Sequence, residues 1–146
     1  MEKTIISNSE AETEALAAKI AKAISNGAVV ALHGDLGAGK TVFARGFARA
    51  LGITEPITSP TFTIVQEYSY SGGRFYHLDL YRIDNADAAL AFGVDEFLYG
   101  HKGATLLEWS ERIKPILPPS TIHIRIESSS LESSRKISIP CGLLKD

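Results

Sequence analysis

Apolar residues near the start of the chain recur at helical spacing. Leu16, Ile20 and Ile24 lie four residues apart, which predicts one apolar face of an α-helix. Ser9 followed by Glu12 is typical of a capping box that begins such a helix, and Gly27 is placed to end it in a left-handed cap. A short apolar run at residues 4–6 predicts a strand before this helix.

Further apolar, β-branched and aromatic runs predict the remaining strands. They cover residues 28–32, 62–70, 74–82, 105–107, 122–126 and 136–139. A glycine turn joins the second run to the third and predicts a hairpin, and the last two runs predict another. Helices are predicted after Lys40 up to about Leu51, and over residues 84–98 with a break near Gly93. Strands and helices alternate first and antiparallel pairs follow, which predicts an α/β fold with a mixed sheet.

Composition narrows the class of protein. The chain has 146 residues, of which 45% are hydrophobic and 22% charged, as in an ordinary globular domain. The net charge of −2 argues against a stand-alone nucleic-acid binder, which needs a basic surface. Cys141 is the only cysteine, so neither an intramolecular disulfide nor a cysteine-rich metal site is expected. Without a signal-like start or an apolar run of about 18 residues, we expect a cytoplasmic protein with no membrane partner.

One glycine-rich segment carries most of the chemical information. Residues 34–41 match the pattern G-x-x-x-x-G-K-[ST] at every required position, after a predicted strand and before a predicted helix. The predicted phosphate-binding residues are Gly34, Asp35, Leu36, Gly37, Ala38, Gly39, Lys40 and Thr41. Glycines let the backbone N–H groups surround an anion, and the helix dipole adds to this effect. Lys40 can reach the β- and γ-phosphates, and the Thr41 hydroxyl suits Mg²⁺.

Two acidic residues are candidates for the metal and for positioning the attacking water. Glu108 ends the short strand at residues 105–107, where a P-loop enzyme usually has a metal-binding carboxylate. Asp79 lies among apolar neighbours, and a buried carboxylate there needs a partner. Structural alternatives stay open: an ion pair of Asp79 with Arg82, and a solvated position for Glu108. For His77, a structural role is as plausible as a functional one.

Two further features are ambiguous. Ser59-Pro60-Thr61 gives a stiff presentation of two hydroxyls, and a loop hydroxyl such as that of Thr61 can meet a γ-phosphate and Mg²⁺. The alternative is an ordinary turn before a strand. Trp109 is either a residue that contacts a ligand or partner or an ordinary aromatic residue of the core or its edge, and the second interpretation is favoured.

The class of nucleotide protein follows partly by exclusion. The sequence contains no N-K-x-D motif, which GTPases use to bind guanine. It also lacks the lid-sized insertion with clustered arginines that a P-loop kinase would need. A minimal nucleotide hydrolase whose hydrolysis serves as a switch is the leading interpretation. Two alternatives remain, namely a nucleotide-dependent binding module with incidental hydrolysis and a small-molecule P-loop kinase.

Several linked motifs resemble those of the TsaE family, the bacterial ATPases of tRNA threonylcarbamoyladenosine biosynthesis. The matching pieces are residues 34–41, Ser59-Pro60-Thr61-Phe62, His77-Leu78-Asp79-Leu80-Tyr81-Arg82, residues 93–97 and Glu108-Trp109. The phosphate-binding motif is shared by many families, but the second and third pieces are far more specific. The resemblance covers about residues 9–125 and is weakest after Glu127.

No linker divides the chain, so residues 1–146 are expected to form a single domain. The resemblance implies that it is a P-loop ATPase domain, a three-layer sandwich with a parallel core and antiparallel hairpin strands. It implies ATP and Mg²⁺ as ligands, slow hydrolysis, and action with the TsaD and TsaB proteins as a regulator or reset factor. The tRNA would then be reached only through these partners.

The resemblance also implies roles for individual residues. Catalytic roles fall to Lys40, Asp79 and Glu108, and the magnesium ligands would be Thr41, Glu108 and Asp79. Thr61 would sense the γ-phosphate, and the segment that ends at Thr13 would approach the base.

Overall fold

Seven strands and three α-helices make up the secondary structure in the described part of the chain. A computed structural model describes residues 1–35, 38–129 and 133–144. The elements are β1 (Glu2–Ser7), α1 (Glu10–Ala23), β2 (Ala28–His33), α2 (Lys40–Ala50), β3 (Val65–Tyr70), β4 (Gly73–Asp79), α3 (Ala86–Phe92), β5 (Gly103–Glu108), β6 (Ile122–Ser128) and β7 (Arg135–Pro140). Short 3-10 helices cover Val94–Phe97 and Ser110–Ile116. None of the helices in the described ranges is long and apolar enough to cross a membrane.

The strands form one mixed sheet in the order β1-β7-β6-β2-β5-β4-β3. Strands β4 and β5 are parallel, whereas β3 pairs with β4, β6 with β7, and β1 with β7 in antiparallel fashion. Both predicted hairpins are therefore present. This arrangement, with its flanking helices, confirms the predicted α/β class with a parallel core and antiparallel strands.

The chain divides into two compact units, which are described separately. Unit 1 comprises residues 1–24, 32–57 and 123–146, and unit 2 comprises residues 25–31 and 58–122. The expectation of a single domain from 1 to 146 stays a prediction.

Unit 1 contains the packed pair of helices α1 and α2. The Ser9 hydroxyl caps α1 by accepting the Glu12 N–H at 3.1 Å, as predicted, and the Glu12 carboxylate accepts the Asn8 N–H at 3.1 Å. The two helices approach closely at Gly46, where an added Cβ would lie 2.5 Å from the carbonyl oxygen of Glu14. Any larger residue at Gly46 would push these helices apart.

Unit 2 has its own apolar core around strands β4 and β5. All six residues of β5 are buried, as expected for a central strand covered on both faces. The buried core residues are Val29, Leu78, Leu80, Ile83, Ala89, Val94, Leu98, Leu107 and Ile113. Helix α3 ends at Gly93, whose φ of +95° is left-handed, and this confirms the predicted break.

Three predicted boundaries are wrong by three residues or more. Helix α1 ends at Ala23 rather than at Gly27, because Ile24 is already extended. Strand β3 begins at Val65 rather than at residue 62, because the Ile64 N–H donates to the Pro60 carbonyl and keeps the intervening residues in a turn. Strand β4 ends at Asp79 rather than at residue 82, because the Asp79 carboxylate accepts the N–H of the residue two positions on.

Candidate functional site

The glycine-rich segment of residues 34–41, called here the phosphate loop, joins β2 to α2 in unit 1. Gly34 packs tightly, since an added Cβ would lie 2.4 Å from the carbonyl oxygen of Ile126. Gly39 is the N-cap of α2, has a left-handed φ of +108° and contributes no side-chain cap. Such a helix start favours bound anions through its dipole and its backbone N–H groups. Leu36 and Gly37 lie outside the described residues.

The two residues that follow Gly39 differ in exposure. Lys40, the first residue of α2, is buried, and Thr41 beside it is exposed. Phe43 and Phe47, three and seven residues after Lys40 and so on the same side of α2, are fully buried and anchor the helix. A helix held in this way presents its N-terminal turn in a fixed orientation. Its 11 residues give the turn the dipole that a phosphate group needs.

A residue that the sequence analysis did not single out contacts the phosphate loop. Nε of Arg135, at the start of β7, donates to the carbonyl oxygen of Ala38 at 2.9 Å. A guanidinium nitrogen of the same side chain donates to the Ser134 carbonyl at 2.9 Å. Arg135 and Ala38 are 97 residues apart in the sequence, and the fold of unit 1 brings the guanidinium to the loop.

Two other residues proposed from the sequence also lie in unit 1. Asp35, at the start of the loop, is exposed. Thr13 is buried in α1, and its hydroxyl lies 2.6 Å from the hydroxyl of Ser7. That hydroxyl therefore already has a hydrogen-bond partner within the unit, and contact of Thr13 with a base stays a prediction.

In unit 2, Asp79 and Glu108 form what is called here the carboxylate pair. Asp79 ends β4 and Glu108 ends β5, and the two are direct partners in the parallel register. Paired residues on adjacent strands project from the same face, about 4.8 Å apart at the backbone. Both side chains are nearly buried, with 5% and 6% exposure. Two buried carboxylates on one face of adjacent strands repel each other when both are ionised, and a divalent cation would relieve that repulsion.

Asp79 is held by hydroxyl and amide hydrogen bonds. The Thr61 hydroxyl donates to its carboxylate at 3.1 Å, and the Tyr81 N–H donates at 3.0 Å. The Ser59 hydroxyl lies 2.8 Å from that of Thr61, so the stiff Ser-Pro-Thr segment reaches Asp79 through Thr61. Arg82 does not provide the proposed ion pair; its guanidinium lies 5.4 Å from the centre of the Phe62 ring.

Glu108 is held by a buried histidine. Its Oε2 lies 2.9 Å from Nε2 of His77, which is fully buried. The alternative of a solvated acid at a loop edge is therefore wrong for Glu108. Trp109, which follows it, is partly buried, and its ring centre lies 5.0 Å from that of Tyr81, with Arg112 5.8 Å from both rings.

The donor set suits Mg²⁺ better than a metal that needs a full protein cage. In the described ranges, no group of three or more histidine, cysteine, aspartate or glutamate residues could hold a metal ion. Mg²⁺ is commonly bound by one or two carboxylates together with waters and substrate phosphates. Within unit 2, the carboxylate oxygens of Asp79 and Glu108 fit this chemistry.

Comparisons with known proteins identify the family of this chain. The family model described as "Threonylcarbamoyl adenosine biosynthesis protein TsaE" matches residues 7–137. The chain is 44% identical to the "tRNA threonylcarbamoyladenosine biosynthesis protein TsaE" of Bacillus subtilis over 116 residues, covering 80% of this chain and 72% of that protein. It is 37% identical to the protein of the same description from Treponema pallidum, covering 92% and 97% of the two chains.

A solved structure supports the same assignment. The crystal structure of Bacillus subtilis YdiB superposes with a TM-score of 0.78 and 36% sequence identity, covering 95% of this chain and 84% of the other. With a family match over most of its length, this chain belongs to the TsaE family of tRNA threonylcarbamoyladenosine biosynthesis.

Proposed function

We propose that this chain binds ATP with Mg²⁺ and hydrolyses it slowly, and that it regulates or resets a complex with the TsaD and TsaB proteins. The observation that carries the proposal is the helix start at Gly39, a left-handed N-cap followed directly by buried Lys40 and exposed Thr41. Backbone N–H groups, a helix dipole and a lysine ammonium group together form an anion site of the kind that holds nucleotide phosphates. The family membership supports the process, tRNA threonylcarbamoyladenosine biosynthesis.

In this proposal, each region has a separate task. Lys40 contacts the β- and γ-phosphates, and the Thr41 hydroxyl is a magnesium ligand. Glu108 is a second magnesium ligand, and Asp79 orients a water molecule of the metal or the attacking water. When bound, Mg²⁺ stabilises negative charge on the phosphate oxygens. Thr61 senses the γ-phosphate, and its hydrogen bond to Asp79 at 3.1 Å supports a link between that signal and the carboxylate.

Protein partners are part of the proposal because the chain itself offers little for RNA. Its net charge is −2, and a protein that held tRNA alone would need a basic surface. The chemistry of threonylcarbamoyl transfer is therefore assigned to the partner complex. ATP turnover by this chain acts on that complex rather than on the tRNA.

The direct test measures release of inorganic phosphate from ATP with Mg²⁺, with and without a TsaD–TsaB complex, alongside formation of the modified adenosine. We expect slow release by the native chain, and loss of both release and modification in Lys40→Ala. Lys19→Ala, which changes an exposed lysine of α1 in the same unit, is the matched control and should behave like the native chain. Intact nucleotide binding and modification in Lys40→Ala would contradict the proposal.

Two variants of the assay separate the alternatives. Radiolabelled ATP would reveal a kinase, because the label would appear on an acceptor rather than as free phosphate. Glu108→Gln would reveal a pure binding module, because modification would then continue at the native level although turnover falls. The proposal expects free phosphate, and it expects modification to fall together with turnover.

A further inference from the structure

His77 is a fully buried polar residue of β4 in unit 2, and none of the tasks proposed above uses it. Its Nε2 lies 2.9 Å from Oε2 of Glu108. The contact is diagonal across two parallel strands, since His77 pairs with Leu106 and Glu108 pairs with Asp79 in the register. The imidazole and both carboxylates therefore project from one face of the sheet.

The His77 ring has little freedom to move. His77 lies within β4, between two neighbouring strands. Its backbone pairs with Gln66 of β3 on one side and with Leu106 of β5 on the other. Its ring stacks on that of Phe75, with centroids 6.1 Å apart and planes at 20°. A hydrogen bond from such a fixed ring restricts rotation of the flexible Glu108 carboxylate at the end of β5.

The hydrogen-bond partners settle which ring nitrogen carries the hydrogen. A carboxylate only accepts, so Nε2 is the donor to Glu108. The other nitrogen, Nδ1, is buried and has no hydrogen-bond partner within the described ranges. Burying a polar atom in this way has a cost that an apolar side chain would avoid. Among the residues that the structure describes, Glu108 is therefore the only hydrogen-bond partner of the His77 side chain.

We propose that His77 is a positioning residue that fixes the Glu108 carboxylate in the orientation required for binding Mg²⁺. The inference rests on the proposed role of Glu108 as a magnesium ligand. Residues that orient a metal ligand by a hydrogen bond typically change metal affinity or activity about 10- to 100-fold when they are mutated.

Two substitutions separate the two ring nitrogens. His77→Gln places an amide nitrogen near the position of Nε2, whereas His77→Asn places one near Nδ1 and cannot reach Glu108. The readout is the affinity for an ATP analogue with a fluorescent methylanthraniloyl group, measured with Mg²⁺ and again with EDTA. The ratio of these affinities isolates the contribution of the metal.

We expect the ratio to fall about tenfold or more in His77→Asn, and to stay within about threefold of the native value in His77→Gln. The affinity in EDTA should not change in either variant. His101→Asn is the matched control, because Nε2 of this second histidine of unit 2 bonds to the Thr105 hydroxyl rather than to a carboxylate. A native ratio in His77→Asn would overturn the proposal.

The double variant His77→Asn with Glu108→Gln tests whether His77 acts through Glu108. Its ratio should equal that of Glu108→Gln alone, because a positioning residue has nothing left to position. Additive losses would show a separate structural role and overturn the proposal. Thermal unfolding of each variant identifies any that fail to fold.

A measurement on the native chain needs no substitution and no nucleotide. Long-range ¹H–¹⁵N NMR spectra should show the hydrogen of His77 on Nε2 and an unprotonated Nδ1. The opposite tautomer would overturn the positioning role while leaving the proposed ATPase function intact. Native protein that binds no nucleotide would instead overturn the proposed function, and the role of His77 with it.

Discussion

The phosphate loop of unit 1 and the carboxylate pair of unit 2 hold their functional groups by different means. The loop depends on its backbone: Gly34 lies against the Ile126 carbonyl, and Gly39 begins α2 with a left-handed φ. The carboxylate pair depends on side chains: Thr61 donates to Asp79, and His77 donates to Glu108. The conformation of the phosphate loop depends on glycines, which have no side chain. The orientation of the two carboxylates depends on hydrogen bonds from neighbouring side chains.

This difference predicts how each region responds to mutation. A backbone-built site has no isosteric substitute, because any Cβ at Gly34 meets another backbone atom. A site built from side chains can be altered one hydrogen bond at a time, with a graded loss for each. The following predictions test this contrast, beginning with the largest expected effect.

Gly34→Val should remove nucleotide binding almost completely. Its Cβ would lie 2.4 Å from the Ile126 carbonyl oxygen, so the loop must shift, and displacing a binding group by about 1 Å can cost 100-fold. We expect ATP affinity, measured by titration calorimetry, to fall by at least about 100-fold. Gly52→Ala is the control, because it adds a Cβ at a positive φ with nothing within 4 Å. An equal loss in both variants would show that backbone strain, and not the collision, is responsible.

Glu108→Gln should impair hydrolysis while leaving nucleotide binding without metal unchanged. The substitution keeps the shape of the side chain but removes the charge that attracts Mg²⁺. We expect the hydrolysis rate to fall roughly 10- to 100-fold. Glu96→Gln, which changes an exposed acid of the same unit, should hydrolyse ATP at the native rate. A native rate in Glu108→Gln would remove this residue from the site.

Thr61→Val should reduce hydrolysis less, by about tenfold. The change keeps the size of the side chain and removes one hydrogen bond to the Asp79 carboxylate, and bonds to charged groups contribute about 1.5–3 kcal/mol. Thr61→Ser retains the hydroxyl and should recover most of the rate. If the serine variant were as slow as the valine variant, the hydroxyl would not be the group that matters.

Arg135→Ala should have the smallest effect, a loss of about threefold to fivefold in ATP affinity. The substitution removes the hydrogen bond from Nε to the Ala38 carbonyl, but the glycine conformations of the loop remain. Arg125→Ala, which changes an exposed arginine of β6, controls for the lost charge. Equal losses in the two variants would assign the effect to net charge rather than to this contact.

The contrast between the two regions also explains what the sequence could predict. The phosphate loop is local, so residues 34–41 identify it without any knowledge of the fold. The capping of α1 by Ser9 and the break at Gly93 were predictable for the same reason. Both hairpins were predictable because their strands follow each other along the chain.

Contacts between distant residues could not be predicted in this way. The bond of His77 to Glu108 depends on the parallel register of β4 and β5, which no local pattern specifies. The contact of Arg135 with Ala38 depends on the position of β7 in the sheet. The end of β4 also differs from the prediction because of a side-chain hydrogen bond. The apolar pattern predicts a strand up to residue 82, but the Asp79 carboxylate accepts a backbone N–H and closes a turn there.

The most direct test of the account is a titration of ATP in EDTA into three proteins: the native chain, Lys40→Ala and Glu108→Gln. Without metal, only the phosphate loop should contribute to binding. The account predicts that the native chain and Glu108→Gln bind with affinities within about threefold of each other, whereas Lys40→Ala loses most of its affinity. Native affinity in Lys40→Ala, or an equal loss in Glu108→Gln, would contradict it.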